Sequence, residues 1–199
     1  MSIDLSRMPK LGFGMMRLPQ VDGVIDNAQL CRMMDAYMQA GLNYFDTAYV
    51  YHGGKSERAA KAALVDRYPR DSFMLATKLP AWEMHSEADR DRIFSEQLER
   101  AGVDYYDFYL LHSIEDGNVE TYERLDCFNW GLQKKAEGKI RHFGFSFHGS
   151  PELLERLLDA HPEMVPPGAH RMPPPSTSSA STTPPGPFTG RMWTRVNGC

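Results

Sequence analysis

A chain of 199 residues, 42% hydrophobic and 24% charged, has the size and composition of one ordinary globular domain. Its formal charge of -4 offers no electrostatic footprint for nucleic acid, and no continuous apolar run is long enough to cross a bilayer. Met1-Ser2-Ile3-Asp4 lacks a charged-then-apolar signal pattern, and Cys31, Cys127 and Cys199 have no metal-site spacing, so a cytoplasmic, reducing location is expected.

Strand-like runs begin near Leu11, Asn43, Phe73, Tyr106 and His142 and alternate with amphipathic helical patterns in units of about 30 to 35 residues, the size of a βα repeat. The helices carry legible ends. Asp26 with Gln29 forms a capping-box pattern and Gly41 sits where a C-terminal cap belongs. Ser56 is read as the cap of a helix through Leu64 and Val65, and Ser86 with Asp89 opens one through Leu98. Gly138 ends a helix carrying Leu125, Phe128 and Leu132, and Ser150-Pro151-Glu152 starts the last, whose stripe is Leu153, Leu154, Leu157 and Leu158. Five βα units between Pro9 and Pro166 predict an α/β fold with a parallel sheet. From Pro166 on, eight of the fourteen prolines fall in a segment without apolar period. The expected division is therefore a folded part over residues 1–165 and a disordered Pro/Ser/Thr-rich tail over 166–199.

In βα architectures catalytic groups lie at the C-terminal ends of strands and in the loops that follow. Four titratable residues fall there: Asp46 after Tyr44-Phe45, Tyr51 in the glycine-rich loop beyond, Lys78 after Leu75-Ala76-Thr77, and His112 after Leu110-Leu111. A phenol is a poor proton donor at neutral pH, and a nearby ammonium such as Lys78 makes it a better one by favouring the phenolate. Asp46 would keep Lys78 charged and in place, while His112 hydrogen-bonds a substrate oxygen opposite the phenol. Read singly, each has a plainer role: Lys78 as a solvated charge, Asp46 as a turn cap, His112 as a packed residue. The remaining histidines read as surface or loop residues, Met33, Met34 and Met38 as core, and Gly53-Gly54 as a tight turn. Trp82 either lines a pocket or covers core.

The order and spacing of Phe45-Asp46-Thr47-Ala48, Tyr51, Gly54-x-Ser56-Glu57, Ala76-Thr77-Lys78 and Leu110-Leu111-His112 resemble the aldo-keto reductases over roughly Pro9 to Glu163. That resemblance implies a TIM-barrel oxidoreductase that reduces aldehydes or ketones with NADPH. Asp46, Tyr51, Lys78 and His112 match its catalytic tetrad, with Tyr51 as general acid. Gly12 to Pro19 looks like the family's opening segment, where a β-hairpin plugs the barrel floor. Phe143-Gly144-Phe145-Ser146-Phe147-His148 resembles the fifth strand end, where a Ser-Asn pair holds the nicotinamide carboxamide. Ser146 matches, His148 takes over from the asparagine as the expected partner, and Asp46 completes the cofactor-binding set. The Phe147-His148 variant is similar to a bacterial branch whose longer members carry a C-terminal iron-sulfur segment, although no cysteine cluster is present to hold one.

The family pattern stops after Met164, so the chain reads as a partial (β/α)8 TIM barrel, about five βα units with a disordered C-terminal tail. Residues 176–186 can be encoded so that a shifted reading frame spells a string resembling the family's sixth strand, which points to a frameshift. The expected partners are a small-molecule carbonyl substrate and, through open sheet edges, a second copy, with neither nucleic acid nor membrane. Taken alone, the chain is expected to bind NADPH weakly and to show low or no activity. The alternative is a non-catalytic half-barrel that serves as a binding or regulatory module. A metal-dependent barrel hydrolase has only scattered His and Asp in its favour, without paired ligand spacing.

Overall fold

The computed structural model describes residues 8–164. The expected boundary after residue 165, the tail and the shifted-frame segment lie outside the described residues.

Five parallel strands form one sheet in the order β1-β4-β5-β6-β7, comprising β1 (Phe13–Gly14), β4 (Tyr44–Asp46), β5 (Met74–Pro80), β6 (Tyr106–Ile114) and β7 (Ile140–Phe147). Each is followed by helix: α1 (Asn27–Gln39), α2 (Ser56–Ala60), α3 (Glu87–Ala101), the pair α4 (Val119–Arg124) and α5 (Cys127–Ala136), then α6 (Pro151–Ala160). The five βα units are therefore present, in sequential order across the sheet, as in the arc of a barrel.

Two expectations are corrected at the front of the chain. Residues 12–19 do not form a hairpin that precedes the sheet. Phe13 and Gly14 pair in parallel with Phe45 and Asp46 as the sheet's first strand, and the antiparallel hairpin, β2 (Gln20–Val21) with β3 (Val24–Ile25), follows it. Ser56 does not cap α2 either. Lys55 is the cap residue, and Ser56 is buried as the first helical residue with its hydroxyl turned inward.

Most other helix ends form as the local chemistry dictates. The Asp26 side chain accepts from Gln29 N–H at 2.9 Å, whereas the Gln29 side chain turns outward to Arg32 and leaves the capping box half-made. The Asp89 carboxylate takes the Ser86 N–H at 3.0 Å, and Ser150 caps α6 through Leu153 N–H with Pro151 in the first turn. Gly41 and Gly138 follow α1 and α5 at φ +77 and +76, backbone that glycine adopts without cost. The single helix expected around Leu125 and Phe128 is broken in two at Asp126, which has φ 49.

The helices bury one face of the sheet, against Phe45, Leu75, Leu79, Tyr109 and Leu111. Met34 is buried there, with Met38 partly buried against it, while Met33 stays exposed. Leu153 and Leu157 of α6 are buried as expected, and Leu154 and Leu158 are half-buried. At Gly131 of α5 the Phe143 ring of β7 comes so close that a Cβ would lie 2.1 Å from it, which fixes this helix tightly against the last strand. The opposite, concave face carries a smaller cluster of Tyr44, Ala76 and Phe108, with His142 stacked on Phe108 at 4.9 Å. Because side chains alternate along a strand, Asp46, two residues after Tyr44, and Lys78, two after Ala76, share this concave face.

Candidate active site

At the C-terminal ends of the strands the four anchors meet. Lys78 Nζ donates to Asp46 Oδ1 at 2.5 Å and to the Thr47 carbonyl at 2.8 Å, and it lies 3.2 Å from Tyr51 Oη. Lys78 is 4% exposed, so the reading of it as a solvated charge fails. The Tyr51 ring meets His112 edge-on with centroids 5.7 Å apart, and the Trp82 ring lies tilted against His112 with centroids 5.2 Å apart. Trp82, half-exposed, thus lines the site and does not cover core.

Burial, reinforced by the Lys78 charge and by His148, pushes His112 down to about 3. The imidazole is therefore neutral near pH 7, with one N–H and one lone pair. Its Nδ1 is buried without a partner, as is Asp46 Oδ2. Such atoms are costly when they are left without a partner.

A backbone irregularity places Ser146. The β6–β7 register shifts between Leu111 and Ile114, with Ser113 at φ 56, and the Ser113 N–H donates to Ser146 Oγ at 2.6 Å. With its acceptor side engaged, the Ser146 hydroxyl keeps its proton to donate. His148 is exposed beside it and anchored through its backbone N–H to Ile114 O at 2.8 Å.

Three supporting residues escaped the sequence reading. Tyr122 Oη lies 2.9 Å from Leu79 O and 2.7 Å from His112 O and accepts from Ala81 N–H at 3.0 Å, tying together the ends of β5 and β6. His52, read as a surface residue, sits at φ 53; its Nε2 accepts from Leu18 N–H at 3.1 Å and its Nδ1 lies 2.9 Å from the Gln20 amide. It pins the tyrosine loop to the segment after β1. Thr47 offers its carbonyl to Lys78. Only a folded register could reveal the Tyr122 and Thr47 contacts, whereas a histidine directly after the tyrosine was a usable signal.

Among the described residues, no group of three or more His, Cys, Asp or Glu could hold a metal ion, and no helix is long and apolar enough to cross a membrane.

Comparison with known proteins places the chain among relatives. The profile of the Aldo/keto reductase family matches residues 10–172. L-galactose dehydrogenase of Arabidopsis thaliana is 30% identical over 170 residues, covering 81% of this chain and 50% of its own length. The Bacillus subtilis oxidoreductase YqkF is 33% identical over 148 residues, covering 69% and 44%. Among solved structures, an aldo-keto reductase from Klebsiella pneumoniae in complex with NADPH is 29% identical with a TM-score of 0.60, over 76% of this chain and 50% of that one. The holo form of an aldo-keto reductase from Bacillus halodurans is 31% identical with a TM-score of 0.59, over 75% and 49%. The chain spans about half the length of the curated relatives it matches. On the extent of the family match and the fold it shares with these structures, this chain belongs to the aldo/keto reductase family.

Proposed function

We propose that this polypeptide reduces an aldehyde or ketone with NADPH, with Tyr51 as the general acid. The observation that carries the reading is the shared contact of Lys78 Nζ with Asp46 Oδ1 at 2.5 Å and Tyr51 Oη at 3.2 Å. An ammonium held against the phenol oxygen stabilises the negative charge that grows there as the proton leaves, and Asp46 keeps that ammonium charged and aimed. Neutral His112, with its ring 5.7 Å from Tyr51, orients the carbonyl oxygen by a hydrogen bond without competing as an acid. Trp82 supplies an apolar wall for the substrate.

Ser146 and His148 would hold the nicotinamide carboxamide, and Asp46 Oδ2 would accept from a cofactor hydroxyl. NADPH, when bound, supplies the hydride. The solved relative in complex with NADPH supports that choice of cofactor. The site residues, the Tyr51 acid and the small carbonyl substrate form one account.

The test is NADPH consumption, followed by absorbance, with a panel of aldehydes and ketones. Slow oxidation that depends on the added carbonyl is the expected result for this chain, and a rate unaffected by any carbonyl contradicts the proposal. The same assay measures how slowly the chain alone turns over, and size-exclusion chromatography alongside it reports self-association.

A further inference from the structure

Directly after the tyrosine loop, Ser56 and Glu57 open α2 and turn away from the concave face. The Ser56 hydroxyl accepts from Thr47 Oγ1 at 2.8 Å and donates to Met15 O at 3.1 Å. Thr47 is the residue after Asp46, and its carbonyl receives Lys78 Nζ. Glu57 Oε1 accepts from Thr77 Oγ1 at 2.7 Å and from Gln97 Nε2 at 3.0 Å. Thr77 is the residue before Lys78, and the Gln97 amide also reaches the Lys78 carbonyl at 3.0 Å. Tyr109 Oη fixes that amide by donating to Gln97 Oε1 at 2.5 Å. Thr47, Ser56, Glu57, Thr77 and Gln97 are all fully buried.

A carboxylate removed from water costs several kcal/mol unless bonded, and burial pushes the Glu57 carboxyl upward despite Thr77 and Gln97. An apolar pair would pack this spot at less cost, but it would not fix a register. We propose that Ser56 and Glu57 are positioning residues, which lock the tyrosine loop to the strand ends carrying Asp46 and Lys78 and so set the Tyr51 to Lys78 contact. The bonds act from behind the sheet, because Thr47 and Thr77 face the helices while their neighbours face the site. This deepens the proposed reaction and rests on it for its kinetic test.

The experiment compares the parent chain with Thr77→Val, which keeps the shape and removes the hydroxyl, Thr77→Ser, which restores it, and Ser56→Ala. Loss of positioning predicts a kcat lower by about ten- to a hundredfold in Thr77→Val and Ser56→Ala. The KM for carbonyl should stay within about twofold, since the interaction lost acts only in the transition state, and Thr77→Ser should recover. A second readout is free of turnover: the proton cross-relaxation between the Tyr51 and His112 rings should weaken in the two impaired variants and return in Thr77→Ser. If Thr77→Val does not fold, Glu57→Gln, which keeps an acceptor for Thr77, is expected to retain the ring contact, and its loss there counts against the idea. Unchanged kcat with an unchanged ring contact overturns the positioning role. A parent chain without turnover tells against the proposed reaction, and the ring contact then decides the positioning role by itself.

Discussion

Lys78 Nζ and Asp46 Oδ1 lie 2.5 Å apart on adjacent parallel strands, with the Lys78 side chain 5% and the Asp46 side chain 20% exposed. The pair is held from both sides, since the ammonium also donates to the Thr47 carbonyl. An ion pair this dry is a poor source of stability by itself, because desolvation offsets most of the attraction. It keeps a charge fixed 3.2 Å from the Tyr51 oxygen.

Removing one partner should therefore be worse for stability than removing both. Lys78→Met leaves a largely buried carboxylate unpaired and should cost about 3 kcal/mol. The double variant Lys78→Met/Asp46→Asn should recover part of that loss in urea titrations. Losses that simply add would show that the two groups are not coupled.

The His112 environment sets a pH dependence. Its value falls from an ordinary 6.5 to about 3 on folding, chiefly through burial, so between those values the unfolded chain binds a proton that the folded chain refuses. The contribution is fully present above pH 6.5 and is lost as pH falls through that window, with a slope approaching about 1.4 kcal/mol per pH unit for one group. His142, lowered mainly by burial and then by Lys135, adds a contribution of the same sign. Urea midpoints measured from neutral pH downward should fall more steeply for the parent than for His112→Asn. Superimposable curves would rule this out.

Tyr122→Phe tests the bridge behind the histidine. The buried Ala81 N–H loses its acceptor, and the Leu79 and His112 carbonyls lose their shared donor. The expected cost is about 2 kcal/mol. The displaced Trp82 and His112 should raise the KM for the carbonyl substrate. A stability matching the parent's would show that these groups find other partners.

Much of this arrangement is legible in the sequence because strand ends and helix caps are local signals. Asp46, Lys78 and His112 each close a short apolar run, and alternation alone puts Asp46 and Lys78 on one face. What escaped depends on register and turn conformation. Ser56 reads as a cap from its residue type, yet the chain turns one residue earlier, at Lys55, and sends the Ser56 hydroxyl to Thr47 from the next element. The hairpin was misplaced because its turn, Asp22-Gly23, lies just beyond Gly12 to Pro19, and the parallel pairing of Phe13 and Gly14 with Phe45 and Asp46 depends on contacts distant in the chain. The break at Asp126 needs a positive φ in a non-glycine residue, which no local pattern announced.

The measurement that bears most directly on the tyrosine acid is Tyr51→Phe in a form extended to eight βα units, with turnover and NADPH affinity determined on the same preparation. The ring, its edge-on contact with His112 and the Lys78–Asp46 pair all remain, so only the transferable proton is lost. Carbonyl reduction should fall by about a hundredfold or more, while the NADPH dissociation constant stays within about twofold. Turnover equal to the parent's would place the acid elsewhere and contradict the account.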